Sequence, residues 1–462
     1  MKPKLHFYGG AGGVTGANYL LEVEGKRIMV DCGLFQGNRF AEHQNREPFA
    51  FDPKSLDLVL ITHAHADHIG RLPKLYRDGF RGTIISTEPT RDLTDVMLTD
   101  TLKIMAHEYE WYGEDNHLFS KEDLEGTLSL FQTKRYRESF SFAKHCTITL
   151  FNSAHILGSC MYKIEIPSFS ILFTGDIGNT PAPLLKDIDN PGNVDYILME
   201  SVYGNRFHET SQERTLLLER AIEDAITAGG MIIIPVFALE RTQALLAELN
   251  ELIENNRIPR IPVFLDSPLA INATRVYKHY THLFNEQAQE VLCQDGDLFS
   301  FPGLTLTDNR ELSKKINAVP SPKLILAGNP HGYGSRIIHH FQRALPDPRS
   351  TVIFVGYPRI SSLGRQLVDG ARSVRMFDQM VPVRAKILNI SGYSAHADQH
   401  QLKTFVASIP KPIRNIFVAM GEPESSSALV SVIRDELGIH AYAPQLRECI
   451  ELETSQLVTR NS

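Results

Sequence analysis

The sequence is poor in the features that usually announce a class. Its 462 residues hold five cysteines, at 32, 146, 160, 293 and 449, odd in number and never in a C-x-x-C arrangement. That argues against a disulfide framework and a thiolate zinc site, and leaves the cysteines as small buried apolar residues. No stretch approaches the ~20 apolar residues of a membrane span, and the opening "MKPKLHFYGGAGG" lacks a signal-peptide core. The expected setting is therefore soluble and cytoplasmic, with no membrane partner. A basic excess is missing as well: 47 Lys and Arg against 54 Asp and Glu give a net charge of −7. A polyanion would have to be held by a local basic cleft or by metal ions.

What remains is an ordinary globular composition, 42% hydrophobic and 22% charged, in a chain too long for one typical core. Two domains are expected. Over residues 1–207, short apolar runs end in Gly, Asp, Asn or His, among them "NYLLEVEGKRIMVDCG", "LDLVLITHAH", "CTITLFNSAH", "FSILFTGD" and "VDYILME". Their Val, Ile, Leu and Phe content predicts strands, and "PTRDLTDVMLTDTLKIMAHEYEW" has the helical spacing to cover a sheet. From residue 208 the pattern changes. Thr210 and Glu213 form a capping-box signature and Gly229-Gly230 closes that helix. Strict strand and helix alternation then runs from "MIIIPVF" to "TVIFVGY", which predicts a mostly parallel sheet wrapped by helices over 208–382. Residues 383–462 revert to the pattern of residues 1–207.

Chemistry concentrates where apolar runs end. "THAHADH" places His63, His65, Asp67 and His68 directly after "LDLVLI". Neutral imidazoles and a carboxylate leaving a buried strand on a tight loop suit a dinuclear site of Zn²⁺-like preference, His63 and His65 reaching one ion, Asp67 and His68 a second. Other strand ends supply His155, Asp176, Glu200 and His396, with Asp398 reading as a helix cap before "QHQLKTF". "GGAGGVTGANYL" has no P-loop lysine and lies between two strands, so it reads as a tight hairpin-like loop near the metals rather than a nucleotide cradle.

In this order, "THAHADH", "SAHILGS" and "FTGD" resemble the metal motifs of the metallo-β-lactamase superfamily. "LMESVYGN", the α/β insert with "DSPLA" and "GYPRISSLGRQLVDG", and "GYSAHAD" resemble its β-CASP branch of RNA-processing nucleases. The resemblance spans essentially the whole chain. It implies an α/β fold: an αββα sandwich contributed by residues 1–207 and 383–462, with an inserted β-CASP domain of mostly parallel sheet over 208–382. It implies two Zn²⁺ ions, the first on His63, His65 and His155, the second on Asp67 and His68, bridged by Asp176. The implied activity is a metal-dependent phosphodiesterase cleaving single-stranded RNA, with DNA the other polymer the motifs allow. The nucleophile is a metal-activated hydroxide, the general acid is His396, and Glu200 orients that imidazole. Asp67, Glu200 and His396 are thus the expected catalytic set. Arg336 and Arg365, each near glycine at a predicted helix start, and Ser394 beside His396 are expected to touch substrate, and a homodimer is the family's implied assembly.

One departure matters. Where the family has histidine in a V-H-G-E-like segment, this chain reads "FVAMGEPE", with Met420 in its place. A thioether is a poor Zn²⁺ ligand, so the second site is expected to be weak or to take Mn²⁺. The alternative function is a non-catalytic or weakly active RNA-binding protein with that site impaired. "AGNPHGYGSR" also departs from the family pattern and introduces His331.

Overall fold

The computed structural model describes all residues except 1, 38–42, 113–116, 329–334, 357, 360–361, 411 and 455–462, and excepting the side chains of 107–112. His331 lies outside the described residues. The chain divides into two compact units, one of Met1–Thr180, Asp187–Phe207 and His396–Ser462, the other of Pro181–Lys186 and His208–Ala395.

The first unit holds two seven-stranded sheets. One runs, across the sheet, Cys449–Glu451, Lys4–Gly9, Asn18–Val23, Lys26–Val30, Leu58–Leu60, Thr83–Ser86 and Phe131–Thr133. The other runs Ala441–Tyr442, Asn415–Val418, Tyr196–Met199, Phe169–Phe173, Cys160–Ile166, Cys146–Asn152 and Ser139–Ala143. Their facing residues, including Leu5, Phe7, Leu21, Leu60, Ile148, Tyr162, Ile171 and Phe417, make one buried core. The far face of the second sheet, Met161, Leu172, Ile197 and Ile416, buries against Leu402, Phe405 and Val406 of helix Gln399–Ser408 and Leu429 and Ile433 of helix Pro423–Leu437. Both faces of that sheet are therefore covered, which is why its strands read as continuous apolar runs.

The inserted unit carries six parallel strands, ordered Leu304–Leu306, Val263–Asp266, Lys323–Gly328, Met231–Val236, Thr351–Phe354 and Lys386–Asn389. Helix Ser211–Ala228 opens with the Thr210 and Glu213 capping box and closes on Gly229 at φ 75°. The strand at Lys386–Asn389 falls after the sequence-read boundary at 383, yet it pairs with Thr351–Phe354 through Thr351 opposite Lys386 to Phe354 opposite Asn389. The return to the first unit therefore comes at His396.

Cys32, Cys146 and Cys160 are buried and free, whereas Cys293 and Cys449 are free and exposed, so the expectation of five buried thiols holds for three. Among the described residues no helix is long and apolar enough to cross a membrane.

Candidate metal centre

The "THAHADH" loop leaves strand Leu58–Leu60 and turns at once into the short helix Ala66–Ile69, which carries Asp67 and His68. Its shape is fixed by backbone bonds to neighbouring strand ends. Ala17 N–H donates to the Asp67 carbonyl (2.9 Å), Cys32 N–H to that of His68 (2.7 Å) and Leu34 N–H to that of Ala66 (2.9 Å). Gly33 makes this approach possible, since a Cβ there would stand 1.5 Å from the Asp67 carbonyl oxygen. From the other sheet, Tyr162 hydroxyl donates to the Ile61 carbonyl at 3.0 Å and Cys160 N–H to that of Thr62 at 2.8 Å. The loop is thus anchored by both sheets of the sandwich.

His155 follows strand Cys146–Asn152, Asp176 follows Phe169–Phe173 and Glu200 follows Tyr196–Met199. His396 is fastened by a bridge to Gly178 and by Ala397 N–H donating to the Ile177 carbonyl at 2.8 Å. Asp398 caps helix Gln399–Ser408, accepting from Gln401 N–H.

These strand ends converge. His63, His65, His155 and Asp176 each offer one ligand atom within 4.8 Å of the others, and Asp176, Glu200 and His396 form a second such group. His65 Nδ1 stands 3.1 Å from His63 Nε2 and 3.2 Å from His155 Nε2, and both Nε2 atoms lie 3.4 Å from Asp176 Oδ2. Ligands at ~2.0–2.1 Å from a tetrahedral Zn²⁺ are about 3.3 Å apart, so the spacing fits an ion of that class. On the other side of the bridging carboxylate, His68 Nε2 is 3.4 Å from Asp176 Oδ1. Both atoms are buried without a hydrogen-bond partner among the described residues, an arrangement a cation would satisfy. Among the described residues, Asp67, expected with His68 at the second ion, falls in neither group of converging atoms.

Burial, aided by the neighbouring His68 imidazole, holds His63 well below the ordinary histidine range, so it presents a neutral ring. Burial would raise the Asp176 carboxyl, but the charge of the His68 imidazole overcomes it and holds the group well below its usual range. For Glu200 burial wins and raises the carboxyl, against the opposing pull of His396. Glu200 accepts from Ile177 N–H at 2.7 Å and Val202 N–H at 3.2 Å, and His396 Nδ1 lies 3.2 Å from both its oxygens and 3.8 Å from Asp176 Oδ2.

Asp31, which sequence reasoning missed, underlies the loop. Buried at 1% exposure, it accepts from Thr62 N–H (2.8 Å) and Thr62 hydroxyl (2.7 Å), and its Oδ2 lies 2.7 Å from His68 Nδ1. It fixes His68 with Nε2 turned toward Asp176. Its signal was the same as for the other sites, a carboxylate ending an apolar run, "RIMVD".

Met420 is 3% exposed and packs in the sandwich core beside Tyr19 and Phe417. Its N–H donates to the Gly10 carbonyl (2.6 Å) and its carbonyl accepts from Ser201 N–H (3.2 Å). The hairpin reading of residues 9–20 agrees with this placement, since Lys4–Gly9 and Asn18–Val23 pair antiparallel.

The residues expected to touch substrate belong to the inserted unit. Arg336 is engaged there: Nη1 donates to Asp266 Oδ1 at 2.7 Å and to the Thr307 carbonyl at 2.8 Å, so its charge is neutralised by a buried carboxylate. Arg365 Nε donates to Asp369 one helical turn on, at 2.8 Å. Ser394 is 3% exposed, its N–H donating to the Ser391 carbonyl.

Comparison with known proteins matches three family models along the chain: a metallo-beta-lactamase superfamily domain over residues 20–199, a Beta-Casp domain over 242–367 and a Zn-dependent metallo-hydrolase RNA specificity domain over 380–444. The chain is 35% identical to Ribonuclease TTHA0252 of Thermus thermophilus, over 91% of this chain and 94% of that protein. It is 29% identical to an RNase J-like protein of Methanocaldococcus jannaschii (95% and 97%) and 28% identical to transcription termination factor FttA of Methanosarcina mazei (97% and 71%). Among solved structures, a protein of unknown function from Enterococcus faecalis V583 shares the fold, with TM-score 0.54 and 13% identity over 98% of this chain and all of that one.

Proposed function

Because this chain belongs to the β-CASP branch of the metallo-β-lactamase hydrolases, we propose that it is a metal-dependent ribonuclease that cleaves single-stranded RNA. The observation that carries the reading is the Glu200–His396 pair set beside the converging ligands, Nδ1 of His396 being 3.2 Å from Glu200 and 3.8 Å from Asp176.

His63, His65, His155 and Asp176 would hold a first Zn²⁺, and Asp67 and His68, sharing Asp176, a second ion that is weaker or Mn²⁺. When bound, such ions supply Lewis acidity, lowering the pKa of water and neutralising phosphate oxygens. The chain's own part is positioning and proton delivery. His396 is 17% exposed at its side chain, whereas His63, His155 and His68 are closed at 0–1%. With Nδ1 against Glu200, Nε2 is the ring nitrogen to which we assign delivery of a proton to the departing ribose oxygen. Glu200, tied to two backbone N–H groups, keeps the ring in that orientation. Arg365, Ser394 and Arg336 are the proposed substrate contacts of the inserted unit, Arg336 while it also donates to Asp266.

The test is cleavage of end-labelled single-stranded RNA, and DNA of the same sequence, by purified protein supplied with Zn²⁺ or Mn²⁺. His396→Ala should abolish cleavage while leaving bound metal unchanged; full activity in that variant overturns the role given to His396. Met420 favours one other reading, RNA binding without chemistry, for which RNA retention with no cleavage under either ion is the signature.

A further inference from the structure

The second cation position is one histidine short, and the first unit brings a different polar group beside the residue that replaces it. We propose that the phenol oxygen of Tyr19 is a protein ligand at that position, joining Asp67, His68 and Asp176 in the place vacated by the missing imidazole. The inference rests on the two-ion reading of the proposed function.

Tyr19 stands near the start of strand Asn18–Val23 at 3% exposure, its ring edge-on to Phe7 in the sandwich core. Its hydroxyl is buried without a hydrogen-bond partner among the described residues. Buried tyrosine hydroxyls nearly always find a partner, so an isolated one points to a missing neighbour. The location agrees. A Cβ built on Gly10, whose φ is +66°, would stand 2.3 Å from the Tyr19 oxygen and 2.8 Å from Met420 Sδ, and Met420 N–H donates to the Gly10 carbonyl. The phenol oxygen and the thioether therefore converge on the same space over Gly10. Two residues before Tyr19, Ala17 N–H donates to the Asp67 carbonyl at 2.9 Å, which holds the start of this strand against the loop that carries Asp67 and His68. Chemistry selects between the two side chains: a cation that accepts carboxylate oxygen and imidazole nitrogen accepts phenol oxygen more readily than a neutral thioether. The resulting set, three oxygens and one nitrogen, favours harder ions such as Mn²⁺ over the first position's histidine-rich set.

The test counts ions rather than turnover. The full chain, stripped by chelator, is titrated with Zn²⁺ and with Mn²⁺, bound metal is measured by mass spectrometry, and the ultraviolet difference spectrum is followed for tyrosinate. The wild type should take two ions, with a tyrosinate band growing only with the second. Tyr19→Phe, which keeps the ring, should bind the first ion normally, show no band and lose at least ~10-fold in affinity for the second; adding Met420→His to it should restore the second ion. Unchanged second-ion affinity in Tyr19→Phe overturns the proposal, as does second-ion binding with no tyrosinate band in the wild type, a readout that needs no variant to fold. A wild type that saturates at one ion also overturns it, while the RNA assay on His396→Ala still judges the ribonuclease reading separately.

Discussion

His396 Nδ1 stands 3.2 Å from each carboxylate oxygen of Glu200, and Glu200 is itself held by the N–H groups of Ile177 and Val202. In the proposed function the carboxylate acts through the imidazole and, being 1% exposed, would not touch substrate. Glu200→Gln keeps the shape but removes the charge and one acceptor. Steady-state cleavage should show kcat lower by about 10²-fold with KM changed less than about threefold, as for an interaction made in the transition state. A rise in KM at unchanged kcat would assign Glu200 to substrate binding instead.

Asp31 holds Thr62 and His68 at once from a position with 1% exposure. Asp31→Ala strands the Thr62 N–H and hydroxyl and the His68 ring nitrogen without their acceptor. A loss of about 2–4 kcal/mol is expected in chelator-treated protein by urea denaturation. Metal affinity should fall about 10–100-fold, because His68 is no longer oriented. Stability reduced with metal affinity intact would limit Asp31 to a folding role.

The metal loop was legible because its signal is local: an apolar run followed within a few residues by several ligand types, as at His63 to His68. Asp31 ends its run alone, and its partners lie 31 and 37 residues away in sequence, so only folding reveals it. Arg336 read as free for the same reason, its partner Asp266 being 70 residues distant. Which sheet takes the strand at 386–389 was not legible, because "AKILN" alternates as a strand of either unit would, and only pairing with Thr351–Phe354 puts it in the inserted sheet. Met420 was visible as a departure, but that Tyr19 shares its space depends on the Lys4–Gly9 and Asn18–Val23 hairpin closing over Gly10.

Gly33 and Gly13 lie 20 residues apart in one sheet's loops and should respond differently to a methyl group. At Gly33 the new Cβ would stand 1.5 Å from the Asp67 carbonyl oxygen, whereas at Gly13 it meets nothing within 4 Å among the described residues. Backbone cannot yield as a side-chain tip does, so Gly33→Ala must displace the loop carrying Asp67 and His68. A cost of about 3 kcal/mol or more in thermal or urea denaturation is expected, with weakened second-ion binding, against a change within about 0.5 kcal/mol for Gly13→Ala. Equal effects at the two sites would mean the loop is not held against Gly33.

Asp266 ends strand Val263–Asp266, second from one edge of the inserted unit's sheet, and accepts from Thr307 and Ser313 hydroxyls and Arg336, with His340 Nε2 2.7 Å from Oδ2. Burial would raise its carboxyl, but these partners, His340 foremost, bring it down to about 2. A carboxyl depressed on folding stabilises fully above its unfolded value of about 3.9 and loses that contribution as pH falls through about 2. The wild-type advantage over Asp266→Asn should therefore shrink by about 1–2 kcal/mol between pH 4 and 2, read from paired urea denaturation curves. The subtraction removes carboxylates common to both proteins, so a pH-independent difference would mean that Asp266 is not ionised in this network.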